Sequence, residues 1–403
     1  MAAGGERSDV VVVGGGPAGL TAALALARGG VETVLVAKAP PPGDNRTTAL
    51  LSSSVTALDT LGVWDQCRDQ AAPLRAIRIV DDTGRLVRAP EVTFTADEIG
   101  LDAFGYNIEN RALVGALLES ARRAAHLTII DDAAIGIDIG DAGVTLRLDS
   151  GRTVAARLAV GADGRRSLCR DAAGITTDGW SYRQVALTLT LAHTRPHHDT
   201  STEFHGPSGP FTLVPLPGNR SSLVFVVDPA DEKRLSALDD AAMSIEIERR
   251  AHSILGRMTV DPGRASFPLS VQTVRRFGAR RVALVGESAH LIPPIGAQGL
   301  NLGLRDAATI AELAAEALSH DGDPGADDCL ARYDALRRAD VTSRTFAVDL
   351  LNRSLLSGFL PVQTARGLGL YLMERIGPLR RAVMREGAIP ATSQPRLMRG
   401  EMI

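Results

Sequence analysis

Between residues 10 and 28 the chain runs from an unbroken apolar stretch, Val10 to Val13, through Gly14, Gly16 and Gly19, into Leu20 to Ala27, and few folds admit that order. The apolar stretch reads as a buried strand and the alanine- and leucine-rich segment as the helix that follows it. At such a junction Gly14 permits the tight turn, Gly16 lets backbone approach a ligand, and Gly19 lets helix and strand pack closely. Pro17 and Ala18 complete the loop. Exposed amides at the helix start, with the partial positive charge of the macrodipole, then face an anion, and a pyrophosphate fits.

One piece of that fingerprint is missing. An acidic residue is expected about 20 positions after the glycines, at the end of the second strand, to hold a ribose hydroxyl pair. The strand Thr33 to Val36 is followed instead by Ala37 and Lys38. Asp44, Asn45 or backbone groups are left for that role, so the adenosine end is expected to be held differently or less tightly.

About 270 residues further on lies a second glycine-rich stretch, VGESAHLIPPIGAQGLNLGLRD, from Val285 to Asp306. An apolar strand, Arg281 to Gly286, leads into Glu287, His290, Pro293, Pro294, Gly296, Ala297, Gln298, Gly299, Leu300 and Asn301, and a helix then runs to about Leu318. Two loops of this kind in one chain suggest one large cofactor held at both ends.

With 403 residues, 45% of them hydrophobic, two or three domains and a substantial core are expected. A net charge of -3 without a long basic tract argues against nucleic acid as the main partner. Cys67, Cys169 and Cys329 have no metal or redox spacing and read as buried reduced thiols in a reducing cytosol. No segment reads as a signal peptide or as an 18-residue apolar span.

Asp44 to Leu61 reads as a polar loop entering a serine-capped helix, with Arg46 either a solvated loop arginine or a ligand contact. Strands are expected at Leu74 to Val80 and Arg85 to Val92, and a helix at Asn110 to Ala125 with Leu113, Leu117 and Leu118 on one face. Strands Ala134 to Ile139, Val144 to Leu148 and Val154 to Val160 lead to GADGRRSLCR, which puts Asp163 at the carboxyl end of a strand. Asp-Gly there is a turn or a ligand carboxylate. From Tyr182 to Val227 the pattern turns to period two, including Val185 to Leu191 and Leu223 to Val227, and a helix from Asp239 to Leu255 precedes a strand at Ala265 to Thr273. His193, His197, His198 and His205 fall in this region without a metal-binding pattern.

GGGPAG, GADGRRS and GESAHLIPPIGAQGLNLGLRD, in this order and at these separations, resemble the class A flavin monooxygenases of the para-hydroxybenzoate hydroxylase fold. DNRTTALLSSSVTALDTLGVWD, GPFTLVPLP and the GLNLGLRD ending narrow the resemblance to the ubiquinone-biosynthesis flavin hydroxylases, over most of the chain. The resemblance implies an α/β fold: a Rossmann-like FAD-binding domain in three segments (1–73, 101–178, 276–342), an inserted, mainly antiparallel β-sheet substrate domain (74–100, 179–275), and a C-terminal helical region (343–403).

It also implies that Gly14, Gly16 and Gly19 bind the FAD pyrophosphate and that Arg46 reaches the phosphate or ribityl region. Asn110 stands where the superfamily often has an arginine or glutamine touching FAD, and Asp163 belongs to an Asp-Gly motif linked to FAD and NAD(P)H. Glu287 replaces the usual ribityl-contacting aspartate, while Pro294, Gly296, Gln298, Gly299 and Asn301 would line the isoalloxazine ring. The implied chemistry is reduction of FAD by NAD(P)H or a reductase partner, capture of oxygen as a C4a-hydroperoxide, and hydroxylation of an electron-rich aromatic ring, here a polyprenylated phenol. No catalytic base can be named, and His290 reads as structural. Two other readings stay open: a hydroxylase of a soluble aromatic or polyketide-like compound, and a flavin-binding scaffold subunit without turnover.

From Arg344 onward there are nine arginines against four acids, interleaved with Leu350, Leu351, Leu355, Leu356, Phe359, Leu360, Leu368, Leu370, Tyr371 and Leu372. Such a basic, apolar helical region suits either the anionic inner face of a membrane, in a peripheral or complex-bound cytoplasmic enzyme, or packing on the core or another subunit.

Overall fold

The computed structural model describes residues 6–38, 46–84, 89–356, 367, 369, 371–373, 375–388 and 394–403. Along the chain, β1 (Glu6–Val13), α1 (Pro17–Arg28) and β2 (Thr33–Val36) form a βαβ unit. Next come β3 (Thr47–Leu51), α2 (Ser52–Thr60), β4 (Ala71–Pro73), β5 (Ala76–Asp81) and β6 (Val92–Thr95). β7 (Gly105–Glu109), α3 (Asn110–Arg122) and β8 (Leu127–Ile130) return to the first unit, followed by β9 (Ala134–Ile139), β10 (Val144–Leu148), β11 (Thr153–Gly161) and α4 (Leu168–Ala172).

The long strand β12 (Thr177–His193) opens a second region with β13 (Thr200–Gly206), β14 (Gly209–Leu216), β15 (Arg220–Val227), α5 (Pro229–Ser236), α6 (Asp240–Arg250), β16 (Met258–Val260) and β17 (Ala265–Val274). The chain then supplies β18 (Gly278–Ala279), β19 (Val282–Leu284), β20 (His290–Leu291), α7 (Gln298–Ser319), α8 (Asp327–Leu356) and α9 (Gly377–Ala388).

An eight-stranded sheet runs β18-β19-β11-β1-β2-β8, with β10 and β9 beyond β11. Its central strands pair in parallel and are buried on both faces, which is why Val10 to Val13 are uniformly apolar. β1 lies between β2 and β11, so the chain reverses direction across the sheet at β1, and ligands bind at the carboxyl ends of strands beside such a switch point. A nine-stranded, mostly antiparallel sheet runs β20-β17-β12-β15-β14-β13-β5-β6, with β16 on β12, and only β13 and β5 pair in parallel. A small sheet, β3-β7-β4, bridges the two.

Three sequence expectations shift. α2 has no serine cap: its first residue follows Leu51 directly, because β3 pairs with β7 up to that point and leads straight into the helix. The strand read at Arg85 to Val92 begins at Val92, with 85–88 outside the described residues. The helix read to Leu255 ends at Arg250, where His252 and Ser253 adopt left-handed φ angles of 50° and 49° that a helix cannot continue. Asp44, Asn45, Phe359, Leu360, Leu368 and Leu370 also lie outside the described residues, as do the side chains of Leu351, Leu355 and Leu356.

Candidate functional site

Three loops leave the carboxyl edge of the eight-stranded sheet in one row, because Val13 pairs with Gly161 and Gly161 with Leu284. Gly14 follows the first strand, Asp163 the second and Gly286 the third. Gly14 has φ 116°, and a Cβ there would lie 2.2 Å from the Ala162 carbonyl oxygen. A Cβ on Gly19 would lie 2.0 Å from the Gly14 oxygen, so the crossing of α1 over β1 leaves no room for a side chain. At Gly16 nothing comes within 4 Å of an added carbon. α1 begins with Pro17, with no side-chain cap and no acid in its first turn, which leaves its leading amides without side-chain acceptors.

The two glycine-rich signatures meet here. A Cβ on Gly286 would lie 3.2 Å from that of Ala18, and one on Gly303 would lie 3.3 Å from the same atom. α7 also starts without a cap or an acid in its first turn, behind Ala297 in the left-handed region at φ 54°. Gly296 and Gly299 are exposed, with nothing within 4 Å of an added Cβ, while Pro294 and Leu300 are half-buried. Gln298 Nε2 donates to Gly296 O at 3.0 Å, and its Oε1 is buried without a hydrogen-bond partner among the described residues.

Other expected site residues have structural partners. Asn301 Nδ2 donates to Ala49 O and Ala297 O, and its Oδ1 accepts from Leu51 N at 2.8 Å, so this side chain staples β3 to the head of α7. Asp163 accepts from Ser167 Oγ at 2.6 Å and from Cys169 N at 3.1 Å, organising the turn into α4. Glu287 forms an exposed ion pair with Arg165 at 3.1 Å. Arg46 is exposed, and its carbonyl accepts from Asn110 N at 2.9 Å, which brings these two residues together.

Behind the second loop lies a buried charge network that the motif reading missed. Asp306 accepts from Gly286 N at 2.9 Å, His290 Nε2 at 2.7 Å and Arg337 Nε at 2.6 Å. Arg337 continues to Asp340, which also takes two bonds of 2.8 Å from Arg305. Burial alone would raise the Asp306 carboxyl, but the charges of His290 and Arg337 and the hydrogen bonds to His290 and Gly286 hold it at about 2. The charges at Arg337, Asp340 and Arg344, three and four apart on α8, are the signal that could have revealed the network.

Beside the first loop is a cavity of about 320 Å³ lined by Gly15, Leu35, Ala37, Lys38, Leu118 and Asp131, among others. β2 and β8 pair Val36 with Ile130, so Asp131 leaves β8 beside the position where Ala37 leaves β2. The fingerprint looks for its acid only on β2, and so overlooks this one.

Cys67, Cys169 and Cys329 are buried, and burial pushes the thiols of Cys67 and Cys329 up to about 11. Among the described residues no group of three His, Cys, Asp or Glu could hold a metal ion.

One face of the nine-stranded sheet looks toward these loops. Asn107 on β7 donates to Ser222 Oγ at 3.0 Å and to Pro215 O, and Arg220 pairs with Glu109 at 3.1 Å. The opposite face, with Leu189, Leu213 and Leu223, is buried with Met243 and Ile247 of α6.

Three loops converging on one carboxyl edge, two of them leading into uncapped helices, are the arrangement of a dinucleotide-binding protein. The chain belongs to the family described as FAD binding domain, which matches residues 7–345. It is 39% identical to a Rhodospirillum rubrum protein named ubiquinone hydroxylase UbiL, over 98% of this chain and 93% of that one. It is 30% identical to the Escherichia coli 3-demethoxyubiquinol 3-hydroxylase, over 94% and 98%. Among solved structures it resembles p-nitrophenol 4-monooxygenase PnpA from Pseudomonas putida DLL-E4, with a TM-score of 0.78 at 21% identity over 94% and 98% of the two chains. The fold is that of the class A flavin monooxygenases, and the protein is an FAD-dependent monooxygenase.

Proposed function

We propose that this monooxygenase hydroxylates the ring of a polyprenylated phenol in ubiquinone biosynthesis. The observation that carries this reading is the 39% identity, across nearly the whole of both chains, to a protein named as a ubiquinone hydroxylase.

The residues present suit FAD. Gly16 leaves open space where a pyrophosphate must approach backbone, and Gly14 and Gly19 have no room for a side chain. At the other end, the open Gly296 and Gly299, the uncapped head of α7 and the unpartnered Gln298 Oε1 suit an isoalloxazine ring, with Pro294, Ala297 and Leu300 beside it. Arg46 and Asn110 would reach the middle of the cofactor, and Glu287 lies between the two ends, its reach toward the ribityl chain set by its pair with Arg165. Asp163 and Asn301 would act indirectly, by shaping loops. Asp131 would take the ribose role that Ala37 cannot.

When bound, FAD accepts electrons from NAD(P)H and delivers one oxygen atom of O2 to the ring. The protein's part is to hold the ring in place, to exclude water beneath the nine-stranded sheet, and to place helix-start amides at Gly299 and Leu300 where negative charge on the reduced cofactor would be stabilised.

No helix among the described residues is long and apolar enough to cross a membrane. The C-terminal helices nevertheless expose Phe346, Leu350, Tyr371, Ile376, Leu379 and Val383, with Arg375, Arg381 and Arg385 exposed around them. That surface suits peripheral contact with anionic lipid, where a polyprenyl substrate resides because each buried methylene is worth about 0.8 kcal/mol.

The test is expression in a strain lacking its own quinone-ring hydroxylase, followed by mass spectrometry of quinone intermediates. Restored hydroxylation supports the proposal, and an unchanged block with folded, FAD-loaded protein refutes it. Flotation with anionic liposomes, lost on Leu379→Ser with Val383→Ser, tests the membrane surface separately.

A further inference from the structure

β13 places Glu203 and His205 two residues apart, and hence on one face of the sheet. His205 Nε2 donates to Glu203 Oε1 at 2.6 Å, and the side chains are only 4% and 18% exposed. The register identifies the face. Glu203 stands opposite Ile79 on β5 and Thr212 on β14, Thr212 opposite Val224 on β15, and Val224 opposite Thr188 on β12. Ser222, on the Val224 face, is the residue bonded by Asn107, and Ile79 packs with Met384 and Ala388 of α9. The pair therefore lies on the sheet face that β7 and α9 pack against, not on the face covered by α6.

This row is less completely buried than its flank. Ile79, Glu203, Thr212, Val224 and Thr188 are each half-buried, whereas Ser222 and Val226 at its flank are buried. A continuous, partly buried stripe between two packed modules is where a cleft would have its floor. From Ser222 its wall runs through Asn107 to β7, through β3 to Leu51, and through Leu51 to Asn301 at the head of α7. A carboxylate in such a floor needs partners for both oxygens. Glu203 Oε1 has His205, and Oε2 has no hydrogen bond among the described residues.

We propose that Glu203 is a catalytic residue that binds the phenolic O–H of the substrate and accepts its proton as the ring is hydroxylated, with His205 as the positioning residue. The O–H bond breaks, the proton passes to Glu203 Oε2, and the bonding pair stays on oxygen, from where it enriches the ortho and para carbons. The oxygen atom and electrons come from O2 and NAD(P)H, as the enzyme's class already requires. When the hydroxylated carbon releases its hydrogen as a proton to water, Glu203 returns the phenolic proton to the oxygen and the carboxylate is restored.

This inference rests on the substrate being a phenol, and the experiment separates the two. Purified holoenzyme is titrated with a short-chain prenylphenol and with its O-methyl ether, read by the change in flavin absorbance, and turnover is followed by oxygen uptake with product analysis. The wild type should prefer the phenol by about tenfold, the scale of a hydrogen bond to a charged group. Glu203→Gln should erase that preference and lower kcat by roughly 10²-fold with a smaller change in KM. Glu203→Asp should recover part of the loss, and His205→Asn should lower kcat less than Glu203→Gln does. Equal wild-type affinity for phenol and ether, or Glu203→Gln with wild-type kcat, overturns the role of Glu203 even where prenylphenol is hydroxylated. A wild type that binds neither ring overturns the phenol reading and this role with it.

Discussion

Around Gly14 to Gly19 the site is made of backbone: an uncapped helix start, two glycines that leave no room for a side chain and one that leaves open space. Around Gly286 to Asn301 a similar loop stands in front of five buried ionisable side chains, His290, Asp306, Arg337, Asp340 and Arg305. The first loop is held by steric fit, which is local in sequence. The second is a longer excursion between β19 and α7, and Asp306 ties its entry at Gly286 and its middle at His290 to α8. Two loops with matching glycine patterns are thus shaped by different forces and should fail in different ways.

The largest contrast is expected at Asp306. Asp306→Asn removes one of the two carboxylates paired with buried Arg337 and leaves Asp340 alone to balance Arg337 and Arg305, and removing one member of a buried pair typically costs about 3–5 kcal/mol. Urea unfolding should register that loss, together with release of FAD. The pH sign follows from the shift: Asp306 sits at about 2 when folded against an ordinary 3.8, so its stabilisation is full above about pH 4 and disappears as pH falls toward 2. Acid unfolding of Asp306→Asn should therefore depend less steeply on pH in that window. An unchanged slope would mean that the network is not what holds the second loop.

A smaller effect separates two glycines within the first loop. Gly19→Ala forces a carbon to within 2.0 Å of the Gly14 oxygen and should destabilise the fold by about 1–3 kcal/mol or more. Gly16→Ala meets nothing, so its melting temperature without cofactor should match wild type while FAD affinity falls about tenfold, read by flavin fluorescence. Equal melting losses in the two variants would erase the distinction between packing and ligand space.

The smallest effect is expected at the adenosine end. Asp131→Asn should weaken FAD several-fold without changing affinity for FMN, which lacks the adenosine, and Ala37→Glu in that background should restore it. Parallel loss of FMN binding would assign Asp131 a structural role instead.

Much of this was legible in the sequence where physics is local. β9 and β10 occupy the residues expected for them, and in β10 the alternation of Val144, Leu146 and Leu148 with polar residues reports the strand's own burial. Gly14 and Gly19 were equally readable, since φ and Cβ clearance leave few substitutes there. The start of α2 was misread because its entry is set by β3 pairing with β7, not by a nearby hydroxyl.

By itself the sequence determined that β1, α1 and the two glycine loops exist, and with them the class of cofactor. Only the tertiary structure decided which carboxylates come to lie beside its loops. Asp131 comes beside Ala37 through the pairing of β2 with β8, and Asp306 meets Arg337 across two helices. Glu203 faces away from α6 because the register of five strands sets its parity. Each depends on long-range pairing, and a side chain's local sequence carries no record of the strand or helix that will lie beside it.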